Sequence, residues 1–266
     1  MAKAKIDKAP WLWWSASEPR ALLDVAGFYM SRKKLRQLPK GDGHSVLVIP
    51  GFLSGDGTTL QLRGLLRDLG YRVYGWRQGQ NTVFNSGVMD RLEKRLDYIY
   101  KRSGKKVSVI GWSLGGVYAR ELAKKSPDKV RLVISMGSPI SGNFNHTPAF
   151  RIYTAMNGNP DDLQWEYFKT LKDAPPVPTT SIYSKSDGVV AWRNSIQAEV
   201  KGFQTENVRI HSAHLGMGSN VDVMKVLANR LAQPEGEWTP YAAEDTQPKK
   251  KTPKKKTPKP KVKSAS

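Results

Sequence analysis

The run Lys106-Val107-Ser108-Val109-Ile110-Gly111-Trp112-Ser113-Leu114-Gly115-Gly116 constrains the fold of this chain more than any other stretch. Like His44 to Ile49, a near-continuous apolar run expected of a strand buried on both faces, its first half, Lys106 to Ile110, reads as a strand. It enters a Gly-x-Ser-x-Gly turn with no spacer, and the residues beyond, through Tyr118, Glu121 and Leu122, read as a helix that stops before Ser126-Pro127. A serine at a strand-to-helix turn is presented at a fixed point only when its neighbours are small, and Gly111, Gly115 and Gly116 supply that room. Such a turn also leaves the Leu114 N–H at a helix N-terminus, unsatisfied and positively polarised. Ser113 is thus the candidate nucleophile, and the Leu114 amide a candidate oxyanion donor.

Strand and helix signals alternate along the rest of the body, the pattern of parallel βαβ units. Strands are expected at 44–49, 71–76, 106–110, 130–136, 180–184 and 207–211, with helices near 57–69, 86–102 and 219–232. The last helix opens with a serine-to-acid cap spacing, Ser219 to Asp222. The fold class is therefore α/β, a doubly wound, mostly parallel sheet of about six strands. Residues 140 to 176 break the rhythm with Phe144, Phe150, Tyr153, Trp165, Tyr167 and Phe168 among Asn, Gly and Pro, and read as a small helical insertion. The main domain is placed at 44–241, after an N-terminal segment at 1–43 and before a tail at 242–266.

Ser17 to Arg36 reads as an amphipathic helix with Leu22, Leu23, Ala26, Met30 and Leu35 apolar, expected to dock on the body. Arg32, Lys33, Lys34 and Arg36, together with Trp11-Leu12-Trp13-Trp14, give it an alternative as a helix lying on a membrane surface. The tail repeats a Lys-Thr-Pro-Lys unit and holds nine lysines and no acid between 246 and 266, out of a net charge of +20. Lacking any apolar face, it is expected to be disordered. The absence of cysteine excludes disulfides, thiolate metal sites and a cysteine nucleophile. The apolar run after the basic start is too short for an export signal, and nowhere do about 18 apolar residues run together. A cytoplasmic protein with no transmembrane segment is expected, with attachment to an anionic surface as an option.

A serine nucleophile needs a base, and the chain offers His44, His146, His211 and His214. Ligands of parallel sheets gather outside the carboxyl ends of the strands. His44 precedes the first strand and His146 lies in the insertion, so both read as structural. His211 belongs to the last expected strand, whereas His214 is on the loop beyond it and is preferred. The base needs a carboxylate to fix its tautomer. Asp187 follows the penultimate strand and is favoured over Asp161, Asp162 and Asp222, none of which directly follows a strand. A second oxyanion donor is expected from the amide of Phe52 or Leu53 in Ile49-Pro50-Gly51-Phe52-Leu53, with Phe52 preferred.

The order Ser113, Asp187, His214 resembles that of the α/β-hydrolase superfamily, over roughly residues 44 to 232, and looks closest to its bacterial esterase and lipase-like members. Arg230 to Trp238 also resembles the closing stretch of bacterial members. Many lipases of the family carry His-Gly where this chain has Pro50-Gly51. The family hangs a cap between its sixth and seventh strands, which residues 140 to 176 fit. The resemblance implies hydrolysis of a carboxylic ester, with a small-molecule ester or lipid as substrate and no metal or organic cofactor. Two alternatives stand beside it. One is acyl transfer by the same three residues. The other is binding of DNA or another polyanion through the basic tail, with the hydrolase-like body as scaffold.

Overall fold

A computed structural model describes residues 16–141, 148–158 and 169–242. Six parallel strands form one sheet in the order β2-β1-β3-β4-β5-β6. They are β1 (Ser45–Ile49), β2 (Arg72–Gly75), β3 (Val107–Trp112), β4 (Val130–Met136), β5 (Thr179–Ser184) and β6 (Thr205–Ile210). Every residue of β1, β3 and β4 is buried, which accounts for their predominantly apolar composition, with Ser108, Arg131 and Ser135 as the polar interruptions of β3 and β4. The edge strands β2 and β6 carry exposed or half-buried positions, and there the expected bounds of 71–76 and 207–211 are shifted. His211 consequently lies just beyond β6 instead of within it.

Successive side chains of these strands enter opposite layers. Val46, Val48, Ile110, Ile134 and Met136 join one core with the helices α1 (Ala21–Leu35), α2 (Leu60–Asp68) and α6 (Val221–Ala232). Leu47, Ile49, Val107, Val109 and Val133 join the other with α3 (Ser86–Ser103) and α4 (Leu114–Lys125). In α3 the Asn85 side chain accepts from the Val88 N–H at 2.9 Å, and Gly104 ends the helix at φ 65°. At the amino ends of the strands the buried His44 ties three segments together. Its Nδ1 lies 2.5 Å from Asp42 Oδ1 and its Nε2 2.8 Å from Ser108 Oγ, while Arg131 of β4 donates to Asp42 at 2.7 Å.

Two expectations for helices need correction. The cap of α6 is Asn220, not Ser219: its Oδ1 accepts from the N–H groups of Asp222 and Val223 at 3.0 and 3.1 Å. In α1 the docked residues are Phe28 and Leu35, 0% and 1% exposed, whereas Leu22, Leu23 and Met30 are 74%, 74% and 87% exposed. The helix is rotated because Asp24, one turn before Phe28, is held by Ser212 Oγ at 3.0 Å and Asn220 Nδ2 at 2.7 Å. Between β4 and β5 lies α5 (Pro148–Asn157), part of the expected insertion. Phe144, His146, Asp161, Asp162, Trp165, Tyr167 and Phe168, the Trp11–Trp14 cluster and the lysine-rich tail lie outside the described residues.

Register sets the position of the site. Ile49 pairs with Gly111, Gly111 with Ser135, and Met136 with Ile182. The carboxyl ends of β1, β3, β4 and β5 are therefore level, and the loops that leave them meet at one edge.

Candidate active site

Ser113 occupies the turn between β3 and α4 at φ 54° and ψ −122°. A non-glycine residue at positive φ is strained, of order 1–3 kcal/mol, and persists only where its surroundings hold it. Two backbone bonds do so: Ser113 N–H donates to Met136 O at 2.8 Å, and Gly116 N–H donates to Ser113 O at 2.9 Å. The flanking glycines are required by close approach. A Cβ on Gly111 would lie 2.1 Å from Gly115 O, and one on Gly115 would lie 2.3 Å from Ile49 O. The start of α4 is thus pressed against both β3 and β1, and this pins the serine.

Asp187 and His214 come together from the loops after β5 and β6. His214 Nδ1 lies 2.7 Å from Asp187 Oδ2, and both residues are buried. Asp187 Oδ1 accepts from the Val189 and Val190 N–H groups at 2.8 and 2.7 Å. An ionised carboxylate only accepts, so the proton of the neutral imidazole is assigned to Nδ1, leaving Nε2 as the basic atom. Burial opposes protonation of His214, but the charge and hydrogen bond of Asp187, with a smaller contribution from Glu18, outweigh it and raise its pKa above the ordinary histidine value.

The pair sits close to the serine turn. Gly137 follows the Met136 whose carbonyl holds Ser113, and a Cβ there would lie 3.0 Å from Asp187 Oδ2 and 3.1 Å from His214 Nδ1. The rings of Trp112 and His214 are 6.2 Å apart. His211 is exposed and turns to Ser186 Oγ at 3.4 Å. Asp222 pairs with Lys225 on the exposed side of α6.

The loop after β1 approaches Ser113 from the other side; a Cβ on Gly51 would lie 3.2 Å from Ser113 Cβ. The buried Asn81 shapes this loop. Its Nδ2 donates to Pro50 O at 2.8 Å, its N–H to Ser54 O at 2.9 Å, and its carbonyl accepts from Leu53 N–H at 2.8 Å. The Leu53 amide is thereby occupied. The amides of Phe52 and of Leu114 have no acceptor among the described residues. The Phe52 ring packs on Tyr153 of α5 at 5.7 Å, and Tyr153 stacks with Phe150 at 6.2 Å.

No protein-family model matches the chain, and no curated protein matches it in sequence. Solved structures do match. Aspergillus fumigatus lipase B superposes with a TM-score of 0.57 at 19% identity, over 72% of this chain and 52% of that one. A structure from the metagenome-derived lipolytic enzymes LipS and LipT gives 0.55 at 15% identity, over 73% and 93% of the two chains. Paleococcus ferrophilus monoacylglycerol lipase gives 0.54 at 14%, over 73% and 96%. The chain has the α/β-hydrolase fold. It spans about half the length of the Aspergillus lipase.

On this α/β-hydrolase fold the residues brought together are Ser113, Asp187, His214 and the Phe52 and Leu114 amides, while His44 lies at the opposite end of the sheet. Sequence reasoning missed Asn81, Glu18 and Asp24. Asn81 carried one signal, an Asn in the polar run Gln78-Gly79-Gln80-Asn81 that reads as a turn. Glu18 and Asp24 carried none, because their partners are far away in the sequence. Among the described residues no group of three or more His, Asp or Glu side chains is placed to hold a metal ion, and no helix is long and apolar enough to cross a membrane.

Proposed function

We propose that this protein is a serine hydrolase that cleaves a carboxylic ester through an acyl-enzyme on Ser113. The observation that carries this reading is the buried, hydrogen-bonded Asp187–His214 pair at the edge where Ser113 stands at φ 54°. Ser113 Oγ attacks the ester carbonyl while His214 Nε2 takes its proton, and Asp187 stabilises the imidazolium. The carbonyl oxygen becomes an oxyanion held by the Phe52 and Leu114 N–H groups, whose freedom from other acceptors supports this role. On collapse the alkoxide leaves with the proton from His214. Water then attacks the acyl-enzyme with His214 again as base, releasing the acid and restoring Ser113.

Phe52, Tyr153 and Phe150 form an aromatic wall beside the oxyanion turn, which supports an apolar acyl group. The lipolytic enzymes of similar fold agree with that class of substrate. The test is labelling by a fluorophosphonate together with turnover of an ester series of increasing chain length. Wild type should label and turn over, and Ser113→Ala should do neither. Labelling that persists in Ser113→Ala would sink the proposal, and alcohol acceptors added to the assay would report acyl transfer as ester products.

A further inference from the structure

Glu18 lies ahead of α1, in a short 3-10 turn with Pro19 and Arg20, and is 6% exposed. A buried carboxylate has to find hydrogen-bond donors, and this one finds three, all on the loops that carry the acid and the base. Its Oε1 accepts from Gly188 N–H at 2.9 Å and from His214 N–H at 2.9 Å; its Oε2 accepts from Leu215 N–H at 2.8 Å. Gly188 follows Asp187 directly, and His214 is the base. Charge-assisted bonds of this kind are about twice as strong as neutral ones. Neighbouring residues brace the same loops: Arg20 donates to Ser186 O, and Asp24 accepts from Ser212 Oγ at 3.0 Å.

We propose that Glu18 is a positioning residue of the active site, a carboxylate clamp from outside the catalytic domain's sequence that fixes the Asp187 loop against the His214 loop. The inference rests on the reading of Asp187 and His214 as acid and base. It goes further, in that a segment expected only to dock on the body holds the catalytic pair in register. Each of the two loops leaves a different strand, and apart from the Asp187–His214 bond a direct tie between them runs through Ser184 Oγ, which donates to Ser212 O at 2.8 Å. Glu18 adds the link at the positions nearest the chemistry. Small displacements there matter, since a shift of about 1 Å in a reacting group costs on the order of 10² in rate.

Glu18 also faces His214 electrostatically. The charged and titratable groups around that imidazole are Asp187 at 2.7 Å, Glu18 on its own backbone amide, Asp24 and Arg20 from the N-terminal segment, and His211 near Ser186. Asp187 and Glu18 both favour the protonated imidazole. Removing the Glu18 charge therefore moves the His214 titration to lower pH.

The full-length protein is compared with Glu18→Gln and Glu18→Asp. Gln keeps the size but loses the charge and turns an N–H₂ toward one of three donors; Asp keeps the charge but withdraws it by one methylene. Two readouts are followed: the pH dependence of fluorophosphonate labelling of Ser113, and the titration of the His214 imidazole by NMR. For Glu18→Gln, labelling on the high-pH plateau should fall about tenfold or more and the His214 midpoint should drop. For Glu18→Asp the rate should fall with a smaller movement of the midpoint. A folded Glu18→Gln with wild-type rate and midpoint overturns the proposal; should that variant fail to fold, wild-type labelling by Glu18→Asp overturns it. The imidazole titration needs no substrate, so a wild type that does not label defeats the hydrolase reading and still leaves the clamp tested.

Discussion

His214 owes its raised pKa to a contest in which burial is outweighed by Asp187 and, to a lesser degree, Glu18. In its proposed role as base it works only when neutral, so kcat/KM for an ester should rise with pH along a limb whose midpoint lies above about 6.5, the ordinary histidine value. A limb centred below that value would contradict the assigned environment. The same shift has a stability consequence: the fold favours the protonated ring, so His214 contributes stability that is present below the unfolded pKa and lost as pH rises through the folded one. Asp187→Asn replaces an acceptor by a group that can donate to Nδ1, which disfavours the productive tautomer; steady-state turnover should drop by about 10⁴. The placement of Ser113, Asp187 and His214 at the carboxyl ends of their strands was legible in the sequence because each sits a few residues past a strand signal. The choice between Phe52 and Leu53 was not settled by spacing, since it depends on Asn81 consuming one amide from a distant loop. Glu18 was invisible for the same reason in stronger form: an acid before a proline reads as a helix start wherever its side chain ends up.

Among elements, α4 is pressed against the backbone of the loop and strand beside it. Gly115→Ala would place a methyl carbon 2.3 Å from Ile49 O and 2.5 Å from Pro50 O, both of them backbone atoms. The helix must then shift, costing about 1–3 kcal/mol in urea unfolding, and the shift drags the Leu114 amide and Ser113 with it. Activity should therefore fall by more than the fraction unfolded accounts for; a stable, fully active Gly115→Ala would show that the contact is soft. The central strands were readable because burial on both faces enriches them in Val, Ile and Leu, with few polar interruptions. The face of α1 was misread for a physical reason. Of the expected apolar face only Leu35 docks; Leu22, Leu23 and Met30 are exposed, because the hydrogen bonds of Asp24 and the burial of Phe28 fix a different rotation.

At the scale of the molecule, the sheet is continuous from β2 to β6, and helices cover it on both faces. The site lies where five loops leave it, and a segment that precedes the first strand closes the group. The residues bridged by Glu18 are 170, 196 and 197 positions further along. This gives the Asp187–His214 pair a place in time as well as in space. Contacts between distant parts of a chain form late, because the intervening loop must first be closed. As the chain is made, Glu18 precedes its partners by 170 to 197 residues, and all six strands are synthesised between it and the last of them. In refolding, the recovery of fluorophosphonate labelling should accordingly lag the recovery of helical circular dichroism; coincident traces would count against a late clamp. On the proposed mechanism, until that contact closes the chain can hold a sheet, two cores and a serine at its turn while the acid and base that the serine needs are still out of register.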